Sequence, residues 1–273
     1  MLRSEGDRLV KVVVSTPGSA YFDSTTHVVN NIPEVADPEA THLQHTQLTT
    51  AMSGFGVDVL DVPELEGHSN SVFTRDVALC TPRGHIRLRM GLEARRGEES
   101  WMSRALEALG EPCIGTVVEP GTVEGGDVIL AGEVAFVGLS RRTNREGARQ
   151  LGHMLGEVGY EVRTVAVATG LLHLGGAMSA IGPRRLLCCE DIVPQEVVEG
   201  FDVITVPVRG PSAGNVICLD ENEVIANVAE NAEAIGELER NDVRVHSVDL
   251  SEFRKGAGGP TCLILPVVRR SPS

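Results

Sequence analysis

Two residues stand in settings where chemistry is useful. Cys262 follows a Gly-Gly-Pro-Thr turn at the mouth of the apolar run LIL, and His173 lies in the apolar stretch LLHLGGAMS. A glycine-rich lead-in lets backbone approach a ligand and leaves a thiol open at a strand end, where a nucleophile can act. Cysteine, histidine and a carboxylate are the minimal set for nucleophilic catalysis. Carboxylates are supplied by two further segments. Asp76 follows Phe73 and Arg75 in SVFTRDVALC, and Glu124 and Asp127 flank a glycine pair in PGTVEGGDVIL. Each residue also has an ordinary reading, as a core histidine, a small buried thiol, or the capping acid of a tight turn. No third and fourth ligands stand near Glu124 and Asp127, and Gly125-Gly126 is followed by neither lysine nor a helix start, so neither a metal site nor a phosphate loop is expected there. His42 and His45 lack a third ligand at metal spacing, and Cys188 and Cys189 would face opposite sides of one strand.

The elements that must position these residues are mostly strands. Short runs rich in Val, Ile and Leu recur from LVKVVVS and VDVLDVP near the start to VRVHSVD and CLILPVV near the end, each bounded by Gly, Pro, Asn or Asp. Helical windows are few: residues 39–56, 96–111, 143–160 and 231–242 carry apolar spacing with polar starts and Gly or Asn closes. Strands thus outnumber helices well beyond the one-to-one alternation of doubly wound sheets. Several blocks repeat a polar turn, two strands and a helix, and the chain has room for about five units of the ~50-residue size typical of arrays. No linker divides it, so residues 1–273 read as one domain, with the final RRSPS frayed.

Composition bounds the partners. A net charge of -14 from 24 basic and 38 acidic side chains argues against nucleic-acid binding, and 3% aromatic residues leave little for base stacking. The opening segment is too acidic for a signal peptide, and the apolar window 165–182 carries His173 and four glycines, so neither secretion nor a membrane span is expected. Six cysteines without a CxxC pair fit reduced thiols in a cytoplasmic protein.

At this point a resemblance becomes visible. SVFTRDVAL, EARRGEE, PGTVEGGDVIL, FVGLSRRTNREGARQ, LLHLGGAMSAI, SAGNVICLDENEVI and GGPTCLIL, in that order from about residue 70 onward, resemble the guanidino-group-modifying enzymes of the pentein superfamily, above all the dimethylarginine dimethylaminohydrolases. The resemblance implies an α/β propeller of five-fold pseudosymmetry in a single domain, needing no cofactor. It implies hydrolysis of Nω-methylated arginine to citrulline plus an amine through a thiouronium on cysteine. Cys262 falls on the nucleophile, His173 on the acid/base, Asp76 and Glu124 on the guanidinium carboxylates, and Arg95 and Arg142 on the carboxylate-binding arginines. Asn215, Phe73 and Asp127 fall on the site lining, and TPGSAYFD on the start of a lid spanning residues 16–30. A small arginine derivative is the implied partner, and a homodimer is compatible. Two departures bear on the substrate: Arg75 stands where these hydrolases carry an acid, as in arginine deiminases, while Gly175 stands where deiminases carry a second Asp. The alternatives are a deiminase-like guanidine hydrolase, a His/Cys peptidase, or a non-catalytic pentein binding protein.

Overall fold

The computed structural model describes residues 2–207 and 210–271. Its strands are β1 (Arg8–Val14), β2 (Asp58–Asp61), β3 (Ala78–Thr81), β4 (Gly84–Arg87), β5 (Cys113–Thr116), β6 (Val128–Ala131), β7 (Val134–Leu139), β8 (Glu161–Ala166), β9 (Met178–Gly182), β10 (Arg185–Cys189), β11 (Asp202–Val206), β12 (Ile217–Asp220), β13 (Glu223–Asn227), β14 (Arg244–Val248) and β15 (Leu265–Arg270). The helices are α1 (His27–Asn30), α2 (Pro38–Gly54), α3 (Glu98–Ala108), α4 (Arg145–Val158), α5 (Ala232–Arg240) and α6 (Ser251–Lys255).

These strands form five three-stranded sheets of one design: β3-β4-β5, β6-β7-β8, β9-β10-β11, β12-β13-β14 and β15-β1-β2. In each, the first two strands pair antiparallel and the third returns parallel to the second. A parallel return needs a crossover longer than a hairpin, and α2, α3, α4 and α5 supply it in four blades. In the remaining blade, β9-β10-β11, residues 190–201 cross from β10 to β11 without a helix. Tight hairpin turns join the first two strands of four blades, with Gly132 and Asn222 taking the left-handed φ their turns require. The ring closes where the last strand meets the first, Val13 lying opposite Leu265. This is the five-bladed α/β propeller that the resemblance implies.

Local chemistry explains the helix limits. Asp37 accepts the Ala40 N–H at 2.8 Å ahead of Pro38; Asn144 accepts the Gly147 N–H at 2.7 Å, and Gly159 ends α4 with a left-handed turn. Ala148, Leu151 and Leu155 of α4 then lie on one buried stripe against the sheets. Each fully buried leucine contributes roughly 1.5–3 kcal/mol of transfer free energy. The frayed end expected for RRSPS is corrected for its first half: Arg269 and Arg270 belong to β15, and buried Arg269 donates to the carbonyls of Asp7 (2.6 Å) and Cys218 (2.8 Å). Two inter-strand acceptors hold that guanidinium in place, which its apolar neighbours in sequence do not reveal. Pro272 and Ser273 lie outside the described residues.

Candidate active site

A short turn precedes the first strand of each blade, and these turns converge. Four are 3-10 turns, Thr74–Asp76, Gly125–Asp127, Leu174–Gly176 and Pro260–Leu263, and the fifth is the turn ending at Asn215. The same position in five blades therefore carries Asp76, the Glu124/Asp127 pair, His173, Asn215 and Cys262. Asp76, His173, Asn215 and Cys262 border a cavity of about 740 Å³, with Phe73, Arg95 and Arg142 among its other lining residues. The second turn reaches it through Gly126 and not through Glu124 or through Asp127, which was expected in the lining.

His173 is buried and fully directed. Its Nε2 lies 2.8 Å from Glu124 Oε2, and its Nδ1 lies 4.0 Å from Asp76 Oδ1. Burial alone would push the imidazole pKa down, but Asp76, Asp127 and Glu124 outweigh that and raise it to about 9. Asp127 does not face the ligand space: it accepts Ser140 Oγ at 2.6 Å and the Leu174 N–H at 2.9 Å, so it fixes the backbone beside His173. Burial raises its own pKa from the ordinary value.

Glu124 is saturated. Its carboxylate accepts the N–H groups of Gly91 and Leu92, both at 3.1 Å, Arg142 Nη1 at 3.0 and 3.1 Å, and His173. Burial opposes its charge, yet the His173 hydrogen bond and the charges of His173, Arg95 and Arg142 hold its pKa well below the usual carboxylate range. A carboxylate so occupied orients histidine and has little capacity for a guanidinium, which differs from the expectation that Glu124 and Asp76 share that task. Asp76 retains more freedom: Oδ1 accepts the Gly126 N–H at 3.1 Å and Oδ2 accepts Arg95 Nη1 at 2.6 Å.

The two arginines also differ. Arg95 is buried and nearly exhausted as a donor, with Nε on Glu98 at 2.9 Å, Nη1 on Asp76, and Nη2 on the carbonyls of Asn70 and Phe73 at 3.2 Å. Coulombic attraction from Glu98, Asp76 and Glu124 outweighs burial and raises its pKa further. Arg142 spends Nη1 on Glu124, and its Nε and Nη2 make no hydrogen bond among the described residues. An unpaired fork facing the cavity suits a carboxylate; a spent one does not.

Cys262 keeps part of its surface open, and the Gly259 N–H approaches Sγ at 3.4 Å. Burial and Asp76 push its pKa up to about 11, against the opposing pull of Gly259, Arg75 and Arg95. Asn215 ties the loops together: Nδ2 donates to the Gly175 carbonyl and Thr261 Oγ1, both at 2.7 Å, and Oδ1 accepts the Thr261 N–H at 3.0 Å. Phe73 packs edge-on to Tyr21, centroids 6.0 Å apart, and against Gly258, where a Cβ would come within 2.2 Å of its ring. Thr261, Ser140 and Glu98 escaped the reading of residue types. The pair Arg95 and Glu98 is three apart in sequence but spans the break between the Glu93–Arg95 turn and α3, so helical spacing gave no signal for it. Asp76, Glu124 and His173 each place one ligand atom within 4.8 Å of the others, but those of Glu124 and His173 already bind each other.

Comparison with known proteins follows this geometry. Residues 20–269 match the model of the eukaryotic N,N dimethylarginine dimethylhydrolase family. The chain is 31% identical over 255 residues to the N(G),N(G)-dimethylarginine dimethylaminohydrolase of Pseudomonas aeruginosa, covering 93% of this chain and 98% of that protein. It is 28% identical to the enzyme of that name from Streptomyces coelicolor, covering 85% and 92%. Among solved structures, a cysteine-to-serine variant of the Pseudomonas enzyme complexed with citrulline superimposes with a TM-score of 0.83 at 29% identity, over 94% of this chain and 99% of that one. The N-terminal domain of a cyanobacterial arginine dihydrolase, 18% identical, reaches 0.83 over 95% and 98% and shares the fold. No helix among the described residues is long and apolar enough to cross a membrane. With its five turns, its propeller and these relatives, the chain belongs to the dimethylarginine dimethylaminohydrolase family.

Proposed function

We propose that the protein hydrolyses Nω-methylated arginine to citrulline and the methylated amine, with Cys262 as nucleophile and His173 as acid and then base. The observation that carries this is the buried His173, bound to Glu124 through Nε2 and facing the same cavity as Cys262 and Asp76. At neutral pH the resting site holds an imidazolium and a thiol, since both pKa values stand above 7. A guanidinium arriving beside Asp76 brings positive charge next to Sγ and favours the thiolate, the thiol proton passing to solvent because His173 already carries its own. Sγ attacks the guanidinium carbon to give a tetrahedral adduct. The C–N bond to the methylated nitrogen then breaks, and that nitrogen leaves with a proton from His173. Because Nε2 is committed to Glu124, the proton traded is the one on Nδ1, on the Asp76 side. Water deprotonated by His173 attacks the remaining thiouronium, releasing citrulline and the free thiol.

Arg142 is the arginine with donors to spare for the substrate carboxylate, whereas Arg95 serves by fixing Asp76. The Pseudomonas relative has been solved with citrulline, and a histidine-to-glycine variant of a dimethylarginine dimethylaminohydrolase as an adduct with S-methyl-L-thiocitrulline, which supports both the product and the covalent route. The test is incubation with asymmetric dimethylarginine, monomethylarginine, arginine and agmatine, with ureido product and released amine measured separately. Dimethylamine and citrulline in equal amounts from asymmetric dimethylarginine are expected. Turnover of arginine to ammonia in preference would move the assignment to a deiminase.

A further inference from the structure

Arg75 does not line the cavity. It lies under it, in the turn whose next residue is Asp76, and that turn packs against the Pro260–Leu263 turn that carries Cys262. Arg75 and Thr261 border the same water-sized void of about 10 Å³ beneath the site. The guanidinium is buried and densely bonded: Nη2 donates to both Glu5 oxygens at 2.7 and 2.8 Å and to the Val128 carbonyl at 2.6 Å, and Nε donates to the Gly125 carbonyl at 3.2 Å. Glu5 in turn accepts the Leu130 N–H at 3.2 Å, so the N-terminal segment is pinned to the second blade by the same carboxylate. Holding the Gly125 carbonyl from below also aims the following N–H, that of Gly126, at Asp76.

We propose that the Arg75–Glu5 pair is a positioning and electrostatic element of the reaction: Arg75 supplies positive field to Cys262 Sγ from beneath, and Glu5 sets how much of that field reaches the sulfur. This rests on Cys262 being the nucleophile. A buried charge acts over several ångströms because little water screens it. The electrostatics run in that sense, since Arg75 favours the Cys262 thiolate and the Cys262 charge in turn favours charged Arg75. Among the charged groups around the sulfur, Asp76 opposes ionisation and Arg75 and Arg95 favour it, and the His173 imidazolium faces the same cavity. Those around Arg75 are Glu5 and Asp76, with Arg269 beyond, itself close to Asp7.

The experiment is site-resolved alkylation of Cys262 by iodoacetamide against pH, read by mass spectrometry, in the full chain and in Glu5→Gln, Arg75→Met and Arg75→Lys. Removing the Glu5 charge should move the Cys262 profile to lower pH by about half a unit or more, about threefold in thiolate at a fixed pH. Arg75→Met should move it up by a similar amount, and Arg75→Lys should stay near wild type. A pair that only braces the fold gives no downward shift in Glu5→Gln, so an unmoved or raised profile in that variant, with native circular dichroism, overturns the proposal. Should Arg75→Met not fold, the downward shift expected for Glu5→Gln against an unmoved profile for Arg75→Lys still decides. Alkylation requires no substrate, so failure of the hydrolase reading would appear separately, as absent turnover of methylated arginine with the profile shifts intact.

Discussion

His173 Nε2 and Glu124 Oε2 meet at 2.8 Å between two different blades, with both side chains buried. The pair joins the chemistry to the stability of the ring. His173 is held at about 9 in the folded protein against an ordinary 6.5, so its protonated form adds stability fully below pH 6.5, and this is lost as pH rises through 9. The expected loss is on the order of 3 kcal/mol for one histidine. Glu124, held low, contributes the opposite way, its stabilisation vanishing only in acid. Melting temperatures of wild type and His173→Gln from pH 5 to 10 should therefore converge at the alkaline end. A constant gap across that range would contradict the paired assignment.

Cys262→Ser should bind a methylated arginine but not turn it over. The hydroxyl matches the thiol in size and can accept the same Gly259 N–H, so stability should stay within about 1 kcal/mol. As a nucleophile at neutral pH, a neutral hydroxyl is far weaker than a thiolate. Binding by calorimetry together with citrulline formation within a fewfold of wild type would show that another group attacks.

Thiol labelling separates the cysteines by environment. Cys80, Cys188, Cys189 and Cys218 are buried with pKa values raised chiefly by burial, whereas Cys113 is exposed and Cys262 partly open. Iodoacetamide on the native protein should thus label Cys262 and Cys113, and a bound guanidinium ligand should protect Cys262 alone. Equal labelling of Cys80 or Cys218 would mean that the interior opens more readily than its packing implies.

The propeller was legible because its signal is local and repeated. Most strands fall in a short apolar run bounded by turn residues, β5 starting ahead of its run GTVVEP and β15 extending past its run through Arg269 and Arg270, and the four helical windows became α2 to α5. The parallel third strand of each blade was not legible, because pairing with a strand beyond a long crossover leaves no spacing to read. The short α1 and α6 lack the length that periodicity needs. In the site, Asp76 and His173 were legible as polar residues breaking apolar runs, and Cys262 by the glycine-rich turn ahead of it. What Arg95 and Glu124 do was not, since it depends on Glu98, Asn70, Gly91 and Leu92, brought in by folding. Arg269 shows the same limit: two basic residues at a chain end look solvated until the carbonyls of Asp7 and Cys218 are seen around one of them.

The two arginines should part company under mutation. Arg95→Ala leaves Asp76 and Glu98 buried without their cation, and breaking such a pair costs roughly 3–5 kcal/mol, so this variant should lose much of its stability. Arg142→Ala leaves Glu124 with two backbone N–H groups and His173, and should stay folded. Its loss should fall on substrates carrying an α-carboxylate, by about tenfold to a hundredfold in kcat/KM for a charge-assisted hydrogen bond of roughly 1.5–3 kcal/mol. Agmatine, which lacks the carboxylate, should be poor for wild type and nearly unchanged by Arg142→Ala. Equal losses for both substrates would remove Arg142 from carboxylate recognition.

Gly126 offers the finest probe of the site's tolerance. A Cβ added there would come within 2.6 Å of His173 Nδ1, whose proton is proposed to pass to the leaving amine, and 2.9 Å of Asp76 Oδ1. Gly126 has no left-handed φ, so alanine meets no backbone penalty and the conflict falls on the His173 and Asp76 side chains. Displacing either by about 1 Å should cost on the order of a hundredfold in kcat. Gly54, at the end of α2 with nothing within 4 Å of its Cβ position, is the control, and its alanine variant should be neutral or slightly stabilising. The diagnostic result is a Gly126→Ala protein whose melting temperature lies near wild type while the alkylation profile of Cys262 and the rate of citrulline formation both change. If the rate survives, His173 and Asp76 have room to yield, and the close fit around Gly126 is packing alone.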